Sequence, residues 1–126
     1  MITVTLLNNS AGGAALNLTN IDTTTVVTTQ GVDITRQVGG AGILLVHDGT
    51  IDTLTQEWSI DDTNYYSAYG LTNVALGALP SAPNSRFISL YDVNSSQNVA
   101  KYTRFKLAGE GTITTVTMHY IQEIDV

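Results

Sequence analysis

The sequence predicts an all-β protein, an antiparallel β-sandwich or jelly-roll-like single domain spanning residues 1–126. Apolar and polar residues alternate with a period of two along much of the chain, and helical periodicity is hard to find. Nineteen of the 126 residues are threonine, a β-branched residue favoured on half-buried pleated surfaces. Glycine and asparagine turn formers interrupt the apolar runs at short intervals, as in sandwiches and barrels. A chain of this length can bury roughly two-thirds of its unfolded surface, enough for a core without staples. The absence of cysteine agrees, and it excludes a disulfide framework, a thiolate zinc site and a cysteine nucleophile.

The elements follow in order. Ile2, Val4 and Leu6 alternate with Thr3 and Thr5, which predicts an opening strand, or arm, within residues 1–12. A turn-forming stretch at residues 8–13 ends it. Residues 24–29 and 32–38 are β-prone, and Gly39, Gly40, Ala41 and Gly42 are expected to form a flexible turn. Ile43, Leu44, Leu45 and Val46 are continuously apolar, as in a strand covered on both faces. Leu54, Gln56, Trp58 and Ile60 share one face of the next strand, which Asp61, Asp62, Thr63 and Asn64 end with side chains that bond local backbone. Residues 65–84 lack a period and are predicted to be a long irregular loop, a feature that tends to be functional. Strands are expected at residues 86–91, 99–107 and 112–122. Their turns, at residues 94–98 and at Gly109, Glu110 and Gly111, predict a C-terminal antiparallel meander.

Charged residues make up 13% of the chain, against about 25% in a typical globular protein. A surface with so few charges has little electrostatic defence against sticking, which suits a subunit fixed in a larger particle. The net charge of −6 disfavours non-specific nucleic-acid binding and docking on anionic lipid. No run approaches the roughly twenty apolar residues of a membrane span. The first seven residues have neither a basic region nor a long apolar stretch, so no signal peptide is expected and synthesis in the cytoplasm is.

No motif specifies catalysis, a metal or a cofactor, and an enzyme is not expected. His47 and Asp48 are adjacent, but neighbours in a strand point to opposite faces, so the pair is expected in a surface turn rather than in a triad. His119 is expected at the sheet surface, and two histidines are too few for a His-rich metal site. Asp48, Asp52, Asp61 and Asp62 lack the ordered spacing of an EF-hand and are expected as solvated turn acids. The glycine run at residues 39–42 lacks the Lys-Ser/Thr of a phosphate loop.

Two clusters remain as candidate interaction residues. Trp58, Tyr65, Tyr66 and Tyr69 fall within twelve residues. Such rings pack as core, anchor a protein interface or stack on sugars, and the sequence leaves all three open. Four of the five basic residues, Arg86, Lys101, Arg104 and Lys106, lie in the proposed meander, with Arg104 and Lys106 on a shared face. They form a solvated sheet face or a docking patch for an acidic partner.

Taken together, the cysteine-free, threonine-rich, charge-poor composition, the strand at the start, the glycine-rich middle and the C-terminal meander resemble the small virion proteins of tailed bacteriophages. The closest resemblance is to head decoration, or cement, proteins. Glu57, Trp58, Ser59, Ile60, Asp61, Asp62, Thr63, Asn64 and Tyr65, an aromatic strand followed by an acidic turn, is similar to a segment common in phage β-modules. The resemblance implies a virion location, a β-sandwich or jelly roll seated on the major capsid protein, and a homo-oligomer, most often a trimer. It transfers no site residue. It also implies that residues 1–7 add to a neighbour's sheet edge and that residues 65–84 lie in an intersubunit groove. A carbohydrate- or receptor-binding module of a tail or fibre is the alternative, and it requires the tyrosines as an exposed platform.

Overall fold

The computed structural model describes residues 1–10, 16, 26–66, 85–90, 100–110 and 116–125. These carry eight strands and no helix: β1 (Ile2–Leu7), β2 (Val26–Thr28), β3 (Val32–Asp33), β4 (Gln37–His47), β5 (Thr50–Ser59), β6 (Ser85–Leu90), β7 (Tyr102–Glu110) and β8 (Val116–Ile124). All pairings are antiparallel. One sheet has the order β1-β8-β4-β6. In the other, β7 pairs β5 on one side and both β2 and β3 on the other. The two sheets pack face to face as a β-sandwich.

β2 and β3 act as one interrupted strand. Between them Thr29 keeps contact with β7 by donating its N–H to Phe105 O (2.8 Å). Its own hydroxyl accepts the Phe105 N–H (3.0 Å) in place of a carbonyl. Beyond β5 the chain returns at Tyr66, which bridges Trp58 through two backbone hydrogen bonds of 3.0 and 2.9 Å. The antiparallel pairs are therefore nested: β1 with β8, β2/β3 with β7, β4 with β6, and β5 with the Tyr66 segment.

Cross-strand partners share a face of a sheet. Leu7, Ile43, Leu45, Leu90, Met118 and Tyr120 point inward from the first sheet. Val27, Val32, Leu54, Trp58, Phe105 and Leu107 point inward from the second. The Phe105 and Tyr120 rings, with centroids 6.0 Å apart, join the two layers. Each such side chain contributes about 1.5–3 kcal/mol by leaving water. The Tyr120 hydroxyl donates to Gln37 Oε1 (2.6 Å), so its polar end is satisfied.

Several expectations are corrected. The C-terminal meander is not formed: β6 pairs β4, β7 pairs β2, β3 and β5, and β8 pairs β1 and β4. With β2 and β3 taken as one strand, successive strands alternate between the two sheets, so no strand pairs with the next one along the chain. Gly39, Gly40 and Gly42 lie inside β4 rather than in a turn. Glycine in a strand marks a bulge or a close approach. Both occur here, as a register shift between Gln37 and Ala41 and as the Phe87 ring lying over Gly42, where an added Cβ would sit 2.5 Å from its Cζ. β7 continues through Gly109 and Glu110, where a turn was expected. Ile60 is exposed instead of continuing the inner face of β5, since it lies just past the strand's end. The turn expected at residues 94–98 and most of the 65–84 loop lie outside the described residues.

Candidate functional site

The outer faces of the two sheets are chemically unlike. On β5 and β7, Glu57 stands opposite Arg104, and Thr55 opposite Lys106. Glu57 is buried although it points outward, and it takes both cations: Arg104 Nε at 2.9 Å and Lys106 Nζ at 3.4 Å. The Arg104 guanidinium also lies over the Tyr65 ring, 4.0 Å from its centroid, a cation–π contact. The Tyr65 hydroxyl donates to Asp62. Burial first, and this hydrogen bond second, push the Tyr65 hydroxyl above its ordinary 10.0. Gly31 lies against the Asp62–Tyr65 pair so closely that any Cβ there would collide with both side chains. Ser10, Thr29, Gln30 and Gly31 line a hollow of about 220 Å³ with Asp62, Tyr65 and Arg104.

The acidic turn supports this cluster. Asp61 Oδ1 accepts the N–H groups of Asn64 (2.8 Å) and Thr63 (2.9 Å), and its Oδ2 accepts from the Asn64 amide (2.9 Å). These donors hold the Asp61 carboxyl well below the usual carboxylate range. The Ser59 hydroxyl accepts the N–H groups of Asp61 and Asp62, and Asp62 takes a φ of 60°, a left-handed conformation Asp tolerates in turns. The lone pairs of Asp61 are thus committed to the turn itself. Among the described residues no three His, Asp or Glu side chains gather as a metal site.

The candidate residues named from sequence are dispersed. Trp58 is in the core, with its Nε1 buried and unpartnered. Tyr65 is held by Arg104 and Asp62, Tyr66 is 66% exposed, and Tyr69 lies outside the described residues. Arg104 and Lys106 share the Glu57 carboxylate, whereas Arg86 is on β6 in the other sheet, so the expected basic patch divides. His47 is buried at the end of β4, contrary to the surface turn expected of it. Its Nδ1 lies 2.8 Å from Gly49 O and its Nε2 3.4 Å from Arg86 Nε, so the ring links the turn after β4 to Arg86 of β6.

The feature sequence reasoning missed is the outer face of the first sheet. Ile2, Val4 and Leu6 of β1 are 62%, 60% and 49% exposed, while Thr3 and Thr5 are turned towards the sandwich interior. The face continues through Ile121 of β8 and Leu44 of β4 to Phe87 of β6, itself 63% exposed, with His119 and Glu123 of β8 and Ser89 of β6 set among them. A groove of about 230 Å³ runs across it between Ile2, Gly42, Phe87, Ser89, Ile121 and Glu123. No lysine or arginine among the described residues belongs to it. Four strands about 4.8 Å apart and six residues long, at about 3.3 Å each, span roughly 400 Å² in projection. That is the area of the whole face, its polar positions included, and the largest apolar patch on a protein is often functional. The signal was present in β1, whose apolar set and threonine set alternate, but alternation does not say which set faces the core.

The fold and this face together define a β-sandwich with one outer surface tied together by ion pairs and one that bears exposed apolar side chains. Comparison with protein families, curated proteins and solved structures found no match for the chain.

Proposed function

We propose that the chain is a structural subunit of a particle, a decoration or cement protein that lies on the head shell of a tailed phage through the outer face of β1, β8, β4 and β6. The observation that carries this reading is the apolar face itself, with Ile2, Val4 and Phe87 each at least 60% exposed. A free protein gains nothing from turning three aliphatic side chains of one strand to water while threonines face its core. The low charge agrees, and so does the nested pairing of strands, which is what a long hairpin wound into two Greek keys produces in a jelly roll. Viral capsid proteins and lectins both use that fold.

Function here is physical rather than chemical. A face of roughly 400 Å² is about half of what a stable interface takes from each partner, so a single copy binds weakly. Repetition on a symmetric shell multiplies the contact through avidity. The carbohydrate-binding alternative has one supporting observation, the exposed ring of Tyr66. It loses Trp58 to the core and Tyr65 to Arg104.

The test is cosedimentation of the purified chain with the parent phage's head shells stripped of it, beside a glycan array. Saturable binding to shells with no glycan signal is expected. Glycan binding with no shell binding overturns the reading.

A further inference from the structure

We infer that β1 is a self-pairing edge: two copies of the chain join through antiparallel β1–β1′ hydrogen bonding about a two-fold axis at Val4. The joined β1 strands make one eight-stranded sheet. The first observation is that β1 lacks the devices that keep edge strands apart. Its sequence, Ile-Thr-Val-Thr-Leu-Leu, has no charge, no proline and no bulge. Among the described residues its only neighbour in the sheet is β8.

The backbone fixes which residues bond outward. Met1 and Ile124 exchange hydrogen bonds, with Ile124 N–H to Met1 O at 2.8 Å and the Met1 amine to Ile124 O at 3.2 Å. In an antiparallel ladder such pairs alternate, so the odd-numbered residues of β1 bond β8 and the even-numbered ones direct N–H and C=O away from it. Asn8 confirms the parity, because its carbonyl accepts from Gln30 N–H (2.9 Å) on that far side. Ile2, Val4 and Leu6 therefore present the row of backbone groups that a second strand takes up.

Parity also fixes the register. Even residues must pair with even residues, and Asn8 is already used. The longest pairing that meets both conditions sets Val4 against Val4 of the second copy, with Ile2 against Leu6 and Thr3 against Thr5, each contact made twice. Such self-complementarity is what an isologous two-fold contact requires. Aliphatic pairs then align on the outer face and threonine pairs on the inner one, both favourable across strands. The pairing stops one residue short of Asn8, where residues 28–30 occupy the edge. It also doubles the outer face to roughly 800 Å², the share each partner gives to a standard interface. That last consequence rests on the shell-binding reading above; the pairing itself does not.

The experiment is sedimentation equilibrium on the full chain with charge-swapped variants. Wild type should rise from 13.4 kDa towards twice that mass with concentration. Val4→Lys and Val4→Glu each place like charges across the two-fold axis and should weaken association by about tenfold or more. Circular dichroism should stay unchanged, because Val4 is largely exposed. An equimolar mixture of the two variants should recover the dimer. In a Thr3→Cys/Thr5→Cys double variant, oxidation should link two chains, whereas neither single variant should do so. Monomers at all concentrations, a dimer indifferent to both Val4 charges, or a mass of three chains, which needs a head-to-tail contact such as β1 with the β6 edge, would overturn the inference. Shell binding by a protein that stays monomeric would sink the self-pairing and leave the docking face standing. A dimer that ignores shells would do the reverse.

Discussion

The two outer faces are built from the same kind of strand, yet one closes on itself and the other does not. On β5 and β7 the charges at the centre of the face answer one another: Glu57 holds Arg104 and Lys106, and Arg104 covers Tyr65. On β1, β8, β4 and β6 exposed aliphatic and aromatic side chains surround His119 and Glu123, and β1 is inverted, with Thr3 and Thr5 half-buried on the inner side. A local cluster of basic residues is thus poor evidence for a docking patch, because a single buried carboxylate can engage two of them. The inverted strand is better evidence, since burying Thr3 and Thr5 while exposing Ile2, Val4 and Leu6 stabilises nothing within one chain.

The sharpest contrast between buried and exposed aromatics comes from Trp58 and Phe87. Trp58→Ala should cost about 3–5 kcal/mol by leaving a large void between the sheets, measured by urea unfolding. Trp58→Phe should cost far less, because the indole Nε1 has no hydrogen bond to lose. Phe87→Ser, on the open face, should change folding stability by no more than about 0.5 kcal/mol and should reduce association with shells. If Phe87→Ser destabilises the fold as much as Trp58→Ala does, the face is core and the comparison collapses.

Glu57→Gln should cost about 1–3 kcal/mol, because two cations lose the charge they share in a half-buried setting. A Glu57→Gln protein as stable as wild type would show that the second face is not held by its ion pairs. The effect should be smaller at high salt, though not abolished, given how little of Glu57 meets solvent.

The smallest effects are those of pH, and they come from the Asp61 turn with Tyr65 beside it and from Asp33 in β3. Asp61 titrates below its ordinary 3.8, chiefly through the Asn64 and Thr63 N–H groups. Asp33 is lowered in the same way by the Thr35 hydroxyl and N–H. A lowered carboxyl contributes stability that is whole above pH 3.8 and is lost progressively as pH falls below it. Tyr65 has the opposite sense: its contribution is whole below pH 10.0 and is lost as pH rises beyond that value. Asp61→Asn should flatten the acid limb of a thermal-melt profile and leave the alkaline limb alone, whereas Tyr65→Phe should do the converse.

Strand existence was legible in the sequence because a two-residue period is local. Alternation around Val4, the continuous run at Ile43 and the Gln56–Trp58 pattern all mark real strands. What was not legible is what each strand meets. The glycines of β4 resemble a turn unless the ring of Phe87, more than forty residues away, is known to fill the space above Gly42. Short turns suggested a meander, whereas β6, β7 and β8 each pair with strands from elsewhere in the chain. The same non-locality hid the site. Arg86 and Arg104 look like neighbours by residue number and lie in different sheets. Ile2 and Phe87, at opposite edges of one sheet, line a common groove.

The most direct measurement compares shell binding by two double variants, one on each face. Val4→Thr/Phe87→Ser should lose most cosedimentation with stripped head shells while keeping the wild-type melting temperature. Thr55→Ser/Lys106→Gln, on the outer face of β5 and β7, should bind as wild type does. The opposite pattern, with binding lost only from the β5–β7 side, would contradict the assignment of the apolar face.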